Sequence, residues 1–473
     1  MHTECSAEQL EFQGLGARRV AADISGGEVT SDAGGLLLRE VAEGSRILRR
    51  FADCFEDHRN PDLIEHSALE LVAQRTYAVA MGYEDVNDHD ELRRDPLLAT
   101  LVGKTDPTGQ NRRRESDRGN PLAGKSTINR LELADPDKAA QHRYHKVVCL
   151  SQSVDRFFVD TYLDAYEAPP EKIVLDFDAT DDPLHGQQEG RFFHGYYGCY
   201  CYLPLYVFAG SHLLLARLRP SKIDASAGTL QELRRIVAHI RERWPEVRII
   251  VRGDSGFARN DTMTWCENHG VDYVFGLQRN TRLCKAIARQ LKKSQRRYHQ
   301  TKRASRRYRD FRYRTIKSWD RSRRVVGKAE YLSKGANPRF VVTSLSKAEY
   351  GARALYEDLY CARGDMENRI KEQQLGLFAD RTSSSWFRAN QLRLWFSSVA
   401  YVLISELRRL GLKGTELERA QCSTIRNKLL KVGALVGISV RRVWIRYASG
   451  YPYKTLFATI LKNLQRAFQP IRV

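Results

Sequence analysis

The sequence predicts an α/β protein in which a mixed sheet follows a helical region and is interrupted by a basic segment. Three observations carry that expectation. Apolar periodicity changes from helical to strand-like near Lys172, strands then alternate with helices, and positive charge is concentrated between residues 281 and 328. A chain of 473 residues is too long for one core, and 42% hydrophobic with 10% aromatic residues can fill several. The formal charge of +20 makes a polyanion the first partner to consider, with nucleic acid ahead of a membrane surface.

The first 165 residues read as mostly helical, from the periodic apolar positions of "GGLLLREVAEGSRILRRFADCF" and "DLIEHSALELVAQRTYAVAMGY". "DPTGQNRRRESDRGN" is a polar, basic linker, and "STINRLELAD" behind it is a short helix with Ser126 or Thr127 as N-cap. Between them "GNPLAGKS" matches the letter pattern of a phosphate-binding loop. That motif works only behind a buried strand, and "NRRRESDR" precludes one, so a turn with a capped helix is expected.

From Lys172 the strands are "KIVLDFDAT", a pair within 193–218, "VRIIVRGDSG" and "VDYVFGL", with helices "AGTLQELRRIVAHIRERW" and "NDTMTWCENHG" between the later ones. This is the order expected of an RNase H-like core. The uncharged run Phe192–Ala216 is long enough to span a bilayer, but its glycines, Pro204 and strand-period Tyr/Cys alternation predict two buried strands and a tight turn instead. No secretory leader is visible, and a cytosolic protein is expected. Nine cysteines without a Cys-x-x-Cys pair predict neither a disulfide framework nor a zinc ribbon, and "HRYH" at 142–145 has no further ligand beside it.

Residues 281–328 hold about seventeen of the net +20 charges, opposed only by Asp310 and Asp320. Tyr and Phe interleave with the arginines and strand-like "KAEYLSKG" and "RFVVTSL" follow, so an ordered β-rich insertion is expected. Helix returns over 350–374 and 387–410. A basic strand and an amphipathic helix end the chain.

Two apolar strands close in carboxylates, Asp178 in "VLDFDATDD" and Asp254 in "RIIVRGDSGF". Side chains at the carboxyl ends of neighbouring strands meet, although aspartates there also form turns. Alternation puts Asp176 and Asp178 on one strand face, so alternation alone does not choose between them; Asp178 lies nearer the strand end. In "YEDLYCARGDMENRIKEQQ" Tyr360, Arg363 and Glu367 share a helical face. Gly364, read as mid-helix, costs about 1 kcal/mol against Ala and points to a close approach.

In this order, "DFDATDD", "VRGDSGF" and "YCARGDMENRIKE" resemble the DDE transposases of bacterial insertion sequences, specifically the insertion sequence 1380 family, related to the wider group with a β-rich insertion before the last acidic residue. "GYEDVNDHDELRRDPLL", "YCYLPLYVF" and "ANQLRLWFSSVAY" extend the resemblance over almost the whole chain. It implies Asp178, Asp254 and Glu367 as catalytic and metal-holding residues, with Tyr360 and Arg363 matching the Tyr-x2-Arg-x3-Glu signature on DNA. Gln374 stands where the wider signature has Lys, and Lys371, one turn beyond Glu367, is placed to reach a phosphate instead.

The resemblance also implies two Mg²⁺ ions, with Mn²⁺ as a substitute, because hard cations take oxygen ligands and activate water or a DNA 3′-OH against a phosphodiester. The partners implied are double-stranded DNA, as terminal inverted repeats and target, and a second copy of the chain in a homodimer. Arg306, Arg307, Arg309, Arg312 and Arg314 are the expected backbone contacts of the insertion. The expected division is a helical DNA-binding region at 1–165, an RNase H-like core at 171–280 and 346–412, the insertion at 281–345 and a C-terminal region at 413–473. The alternatives are a non-catalytic DNA-binding protein of the same fold and a P-loop ATPase dependent on Lys125.

Overall fold

A computed structural model describes residues 9–469. The chain forms two compact units, one from residues up to Val148 together with those from Val399 onward, the other from Cys149–Ser398. The helix Ser151–Leu163 falls in the second unit.

The first unit is built mainly from helices whose ends are written in the sequence. Ser67 and Glu70 close a capping box at the start of Ala68–Met81, and Gly82 ends that helix in the left-handed conformation. Asp95 caps Pro96–Val102 by accepting from the amides of Leu97 and Leu98. Every residue from Leu71 to Met81 is buried, including Gln74 and Arg75. Arg75 pairs with Glu132 at 3.0 Å, and Gln74 donates to the Ala123 carbonyl and accepts from the Ala123 amide.

Those bonds decide the fate of "GNPLAGKS". No strand leads into it, Ala123 is held by Gln74, and the Lys125 amide donates to Asp90, which also pairs with the Lys125 ammonium at 3.0 Å. The Ala123 and Lys125 amides are thereby taken up by protein acceptors. The expected Ser126 or Thr127 cap is corrected: Lys125–Glu132 begins after Gly124 with no side-chain cap of its own, because Asp90 from another segment serves its first amide.

The second unit is organised by a nine-stranded mixed sheet. Its order runs His212–Arg217, Leu205–Ala209, Lys172–Ala179, Arg248–Gly253, Asp272–Leu277, Arg339–Thr343, Arg323–Leu332 and Ser305–Tyr313, with Gly335–Ala336 paired to the seventh. The third, fourth and fifth are parallel and every other neighbour is antiparallel. Strands flanked on both sides read as continuous apolar runs because both faces are covered. Leu175, Phe177, Ile249, Val251, Tyr273 and Phe275 fill one core with Leu233 and Ile236 of the helix Thr229–Arg243. Each such burial contributes roughly 1.5–3 kcal/mol. Val274, Val326 and Val341 face the other way, against Leu355, Tyr356 and Leu359.

Phe192–Ala216 holds four strands rather than two. Leu205–Ala209 and His212–Arg217 form the buried hairpin, turned at Gly210 with φ +61°. Phe192–His194 and Cys199–Tyr202 form a separate ribbon with Asp182–Pro183, and Phe192, Phe193, Tyr196 and Tyr200 are exposed on it. Alternating Tyr and Cys fit either arrangement, and only the neighbours decide.

The basic segment opens with helix, Thr281–Ala286 and Ala288–Thr301, before its strands, which extend the main sheet through Arg339–Thr343. Leu283, Ile287 and Ser294 are buried at helical spacing, which dense charge on the other positions hides from a reader looking for strand alternation.

Candidate active site

Parallel pairing of Arg252 with Asp176 and Gly253 with Phe177 puts Asp254 alongside Asp178, one residue past the last pair. Residues abreast in neighbouring strands point to the same face, so Asp176 and Arg252 form one layer and Asp178 and Asp254 the next.

The inner layer is closed. Asp176 is 4% exposed and receives both ends of the Arg252 fork, at 2.5 and 2.7 Å, while Arg252 also donates to the Leu359 carbonyl. The outer layer is open. Arg363 lies 3.3 Å from Asp178 and 2.6 Å from Glu367, tying the Asp178 strand to the helix Gly364–Leu377. Asp254 accepts from the Gly256 amide at 2.8 Å, which fixes the turn after its strand.

Burial, with Asp254 and Glu367 as like charges, pushes the Asp178 carboxyl up to about 6 despite the opposing Arg363. Burial works against the Arg363 charge, yet its neighbours Asp178, Tyr360, Glu367 and Asp254 hold its pKa above the ordinary value. Its buried Nη1 is the atom that faces the Asp178 carboxylate at 3.3 Å, an ion pair without hydrogen-bond geometry. Among the described residues no three His, Cys, Asp or Glu side chains form a ready-made metal cage. Arg363 lies against both Asp178 and Glu367, so both carboxylates are engaged with its guanidinium. The donor set itself suits a hard divalent cation, being carboxylate oxygen throughout.

The helix carrying Arg363 and Glu367 is not the single α-helix expected over 350–374. Leu355–Tyr360 is a π turn and Cys361–Arg363 a 3-10 turn, so the α-helix begins at Gly364. Gly364 is therefore not mid-helix, and a side chain there would meet nothing within 4 Å. The close approach is at Gly276, where a Cβ would lie 2.6 Å from the Tyr360 hydroxyl and 2.9 Å from the Ser255 amide. Tyr360, Gly276 and Asp254 line one cavity with Arg279 and Arg339. Gln374 donates to the Asp181 carbonyl at 3.0 Å and so braces the turn beyond Asp178, whereas Lys371 is exposed.

Asp182, on the short strand Asp182–Pro183, is buried. It accepts from the Thr382 hydroxyl at 3.1 Å, and its second oxygen is unpartnered. Burial, with Asp380 and Asp181 nearby, pushes its carboxyl up to about 8 from an ordinary 3.8. A carboxyl raised in the fold stays protonated there while the unfolded chain ionises, so its stabilising contribution is present below about pH 4 and is lost on the way to about pH 8. The stability of Asp182→Asn relative to the wild type should therefore rise by more than about 1 kcal/mol between pH 5 and pH 8, read from denaturant unfolding at each pH. A difference independent of pH would show that Asp182 ionises normally.

The insertion arginines do not form one patch. On Ser305–Tyr313, strand alternation sends Arg306 and Arg312 to one face and Arg307 and Arg309 to the other. Arg306 pairs with Glu330 at 2.5 Å, Arg309 donates to the Ala286 carbonyl, Arg312 to Ser322 and Arg314 to Trp319. Arg307 is exposed. The cations missed by the strand reading are Arg289, Lys292, Lys293, Arg296 and Arg297, exposed on Ala288–Thr301. Arg252 was also missed, although an arginine inside "RIIVRGD" signals a buried partner.

No curated protein matches the sequence. Among solved structures the chain is similar to one described as the piggyBac transposase synaptic complex with hairpin DNA, at 10% identity and a TM-score of 0.41, covering 94% of this chain and 83% of that one. Residues 12–469 match the family described as Transposase DDE domain group 1, almost the full length of the chain, and the protein belongs to that family of DDE transposases.

Proposed function

We propose that this transposase is a divalent-metal-dependent enzyme of the insertion sequence 1380 type that cleaves phosphodiester bonds at the ends of a mobile element and joins the 3′-OH ends to target DNA. The observation that carries the reading is the convergence of Asp178, Asp254 and Glu367 around Arg363, on two adjacent strand ends and one helix. An RNase H-like core is supported by the first five strands of the sheet, in which three antiparallel strands are followed by two parallel ones.

Asp178, Asp254 and Glu367 would hold the cations, Mg²⁺ or Mn²⁺, once the Arg363 guanidinium turns toward a DNA phosphate. Bound there, the metal would supply the acidity that readies water or a 3′-OH and would neutralise charge gathering on the phosphate. Arg363 keeps the carboxylates compensated before substrate arrives, and the same guanidinium is the group a phosphate oxygen would engage. Tyr360 braces the cavity beside Asp254. Lys371, exposed one turn after Glu367, is assigned to the DNA backbone.

The enzyme works on double-stranded DNA in the cytoplasm, on nucleoid DNA, as a homodimer holding two element ends. Among the described residues no helix is long and apolar enough to cross a membrane. In the N-terminal DNA-binding region, Arg59, Arg93, Arg113, Arg114 and Arg130 line one cleft that suits a phosphate backbone.

The test is incubation of the full chain with Mg²⁺ and a plasmid carrying the DNA that flanks its own gene. Strand breaks ending in 3′-OH at fixed positions, absent in EDTA, are expected. Specific binding without any cleavage would favour the non-catalytic alternative. A second measurement concerns the basic helix: replacing Lys292, Lys293 and Arg296 by Ala should flatten the dependence of log K on log salt by about 2 to 3, equally on element ends and random duplex. An unchanged slope would remove this helix from the DNA path.

A further inference from the structure

After Glu418 the sequence has eleven Lys and Arg and no Asp or Glu. Part of this run folds into an antiparallel ribbon, Ala434–Ser439 with Arg442–Tyr447, joined by the two residues Val440 and Arg441. Only its foot is fastened. Val29–Thr30 pairs with Leu435 and Ala434, Glu28 accepts from the Val436 amide, and the Tyr447 hydroxyl donates to the Ala33 carbonyl at 2.9 Å. Beyond that the ribbon has no third strand among the described residues.

Alternation sorts its side chains. Ala434 and Val436 are buried, while Leu435, Arg442, Trp444 and Arg446 share the opposite face. Trp444 is 51% exposed and stands across from Gly437, so no side chain covers the indole from the partner strand. The Arg442 guanidinium lies 5.9 Å from the indole centroid, and Val440 at the tip is fully exposed. Leu435 and Trp444 stand open to water between these arginines, and covering such apolar surface is favourable. Here the cover must tolerate Arg441, Arg442 and Arg446 with no acidic side chain in the segment to balance them. A polyanion that also offers apolar and stacking surface meets both demands. Two strands about 4.8 Å apart, with their side chains, fit a B-DNA major groove about 12 Å wide.

We infer that the Ala434–Tyr447 ribbon is a duplex-reading element that lays its Leu435/Trp444 face into a DNA groove while Arg441, Arg442 and Arg446 hold the flanking phosphates. The inference rests on the transposase reading above and adds a specific contact to it. On the full chain, with a fluorescein-labelled random duplex and with the DNA flanking the gene, replacing the three arginines by Ala should flatten the log K against log salt slope by about 2 to 3. The corresponding Lys variant should keep the slope. Trp444→Ala should leave the slope unchanged, reduce the preference for flanking over random DNA, and lose protection of groove guanines from methylation at N7. Because these side chains are exposed, both variants should unfold at the wild-type temperature.

Wild-type slope and guanine protection in both variants, alongside normal wild-type DNA binding, would overturn the ribbon's role and leave the transposase reading intact. A wild-type chain that binds neither duplex would overturn both. A shift from dimer to monomer in sedimentation of Trp444→Ala, with DNA binding intact, would make the ribbon a contact between copies instead. Tighter binding of the wild type to phosphatidylserine vesicles than to duplex would assign it to a membrane surface.

Discussion

Asp178→Asn is expected to abolish metal-dependent strand cleavage, by about three orders of magnitude or more, while leaving binding of the flanking DNA within about twofold. The amide keeps the shape of the carboxylate but not the charge a cation requires, and it sits where Arg363, Asp254 and Glu367 converge. Asp254→Asn and Glu367→Gln should do the same. Stability should respond in the opposite sense. Burial and two neighbouring carboxylates already resist ionisation of Asp178, so removing its charge relieves repulsion, and the unfolding temperature at neutral pH should hold or rise. Loss of cleavage with unchanged fold marks a chemical role. Near-full cleavage by Asp178→Asn would show that the metal is held elsewhere.

Arg252→Ala should be the most destabilising single change in this region, costing about 3–5 kcal/mol, because it leaves the Asp176 carboxylate buried without a partner. It also removes the bond to the Leu359 carbonyl, which fastens the π turn ahead of Arg363 and Glu367. Asp176→Asn, which keeps a hydrogen-bonding partner, should cost less and reduce activity only in part. The double variant Asp176→Leu/Arg252→Met should recover much of the loss, since a buried ion pair is replaced by apolar residues at little net cost. Denaturant unfolding of the four chains gives the coupling directly. A coupling energy below about 0.5 kcal/mol would remove the pair as the support of the site.

Legibility differed from residue to residue for identifiable reasons. Apolar strands, helix starts at Ser67 and Asp95 and the turn at Gly210 depend on side chains within a few positions, so the sequence displays them. The π turn before Arg363 does not show, because its residues are compatible with an ordinary helix and packing against the sheet sets the pitch. Nor do the engagements of Arg306, Arg309 and Arg312, each made with a residue ten to twenty-four positions away that no local pattern names. The acid-free stretch after Glu418 was legible from composition alone, yet its meaning depends on which ribbon face is left open.

By itself the sequence displayed the mixed α/β character and the concentration of positive charge, and through the family resemblance it singled out Asp178, Asp254 and Glu367 in chain order, since order and residue type survive without coordinates. Alternation left Asp176 and Asp178 equivalent, because a strand has only two faces and both residues use the same one, and only nearness to the strand end favoured Asp178. The tertiary structure separated them. The register of the neighbouring strand sets Arg252 beside Asp176 and Asp254 beside Asp178, so one carboxylate is paired inside the sheet and the other stands at the strand end among Asp254, Arg363 and Glu367. Register is a property of two strands that meet only after the 68 residues between Ala179 and Arg248 have been threaded, and no periodicity within either strand encodes it.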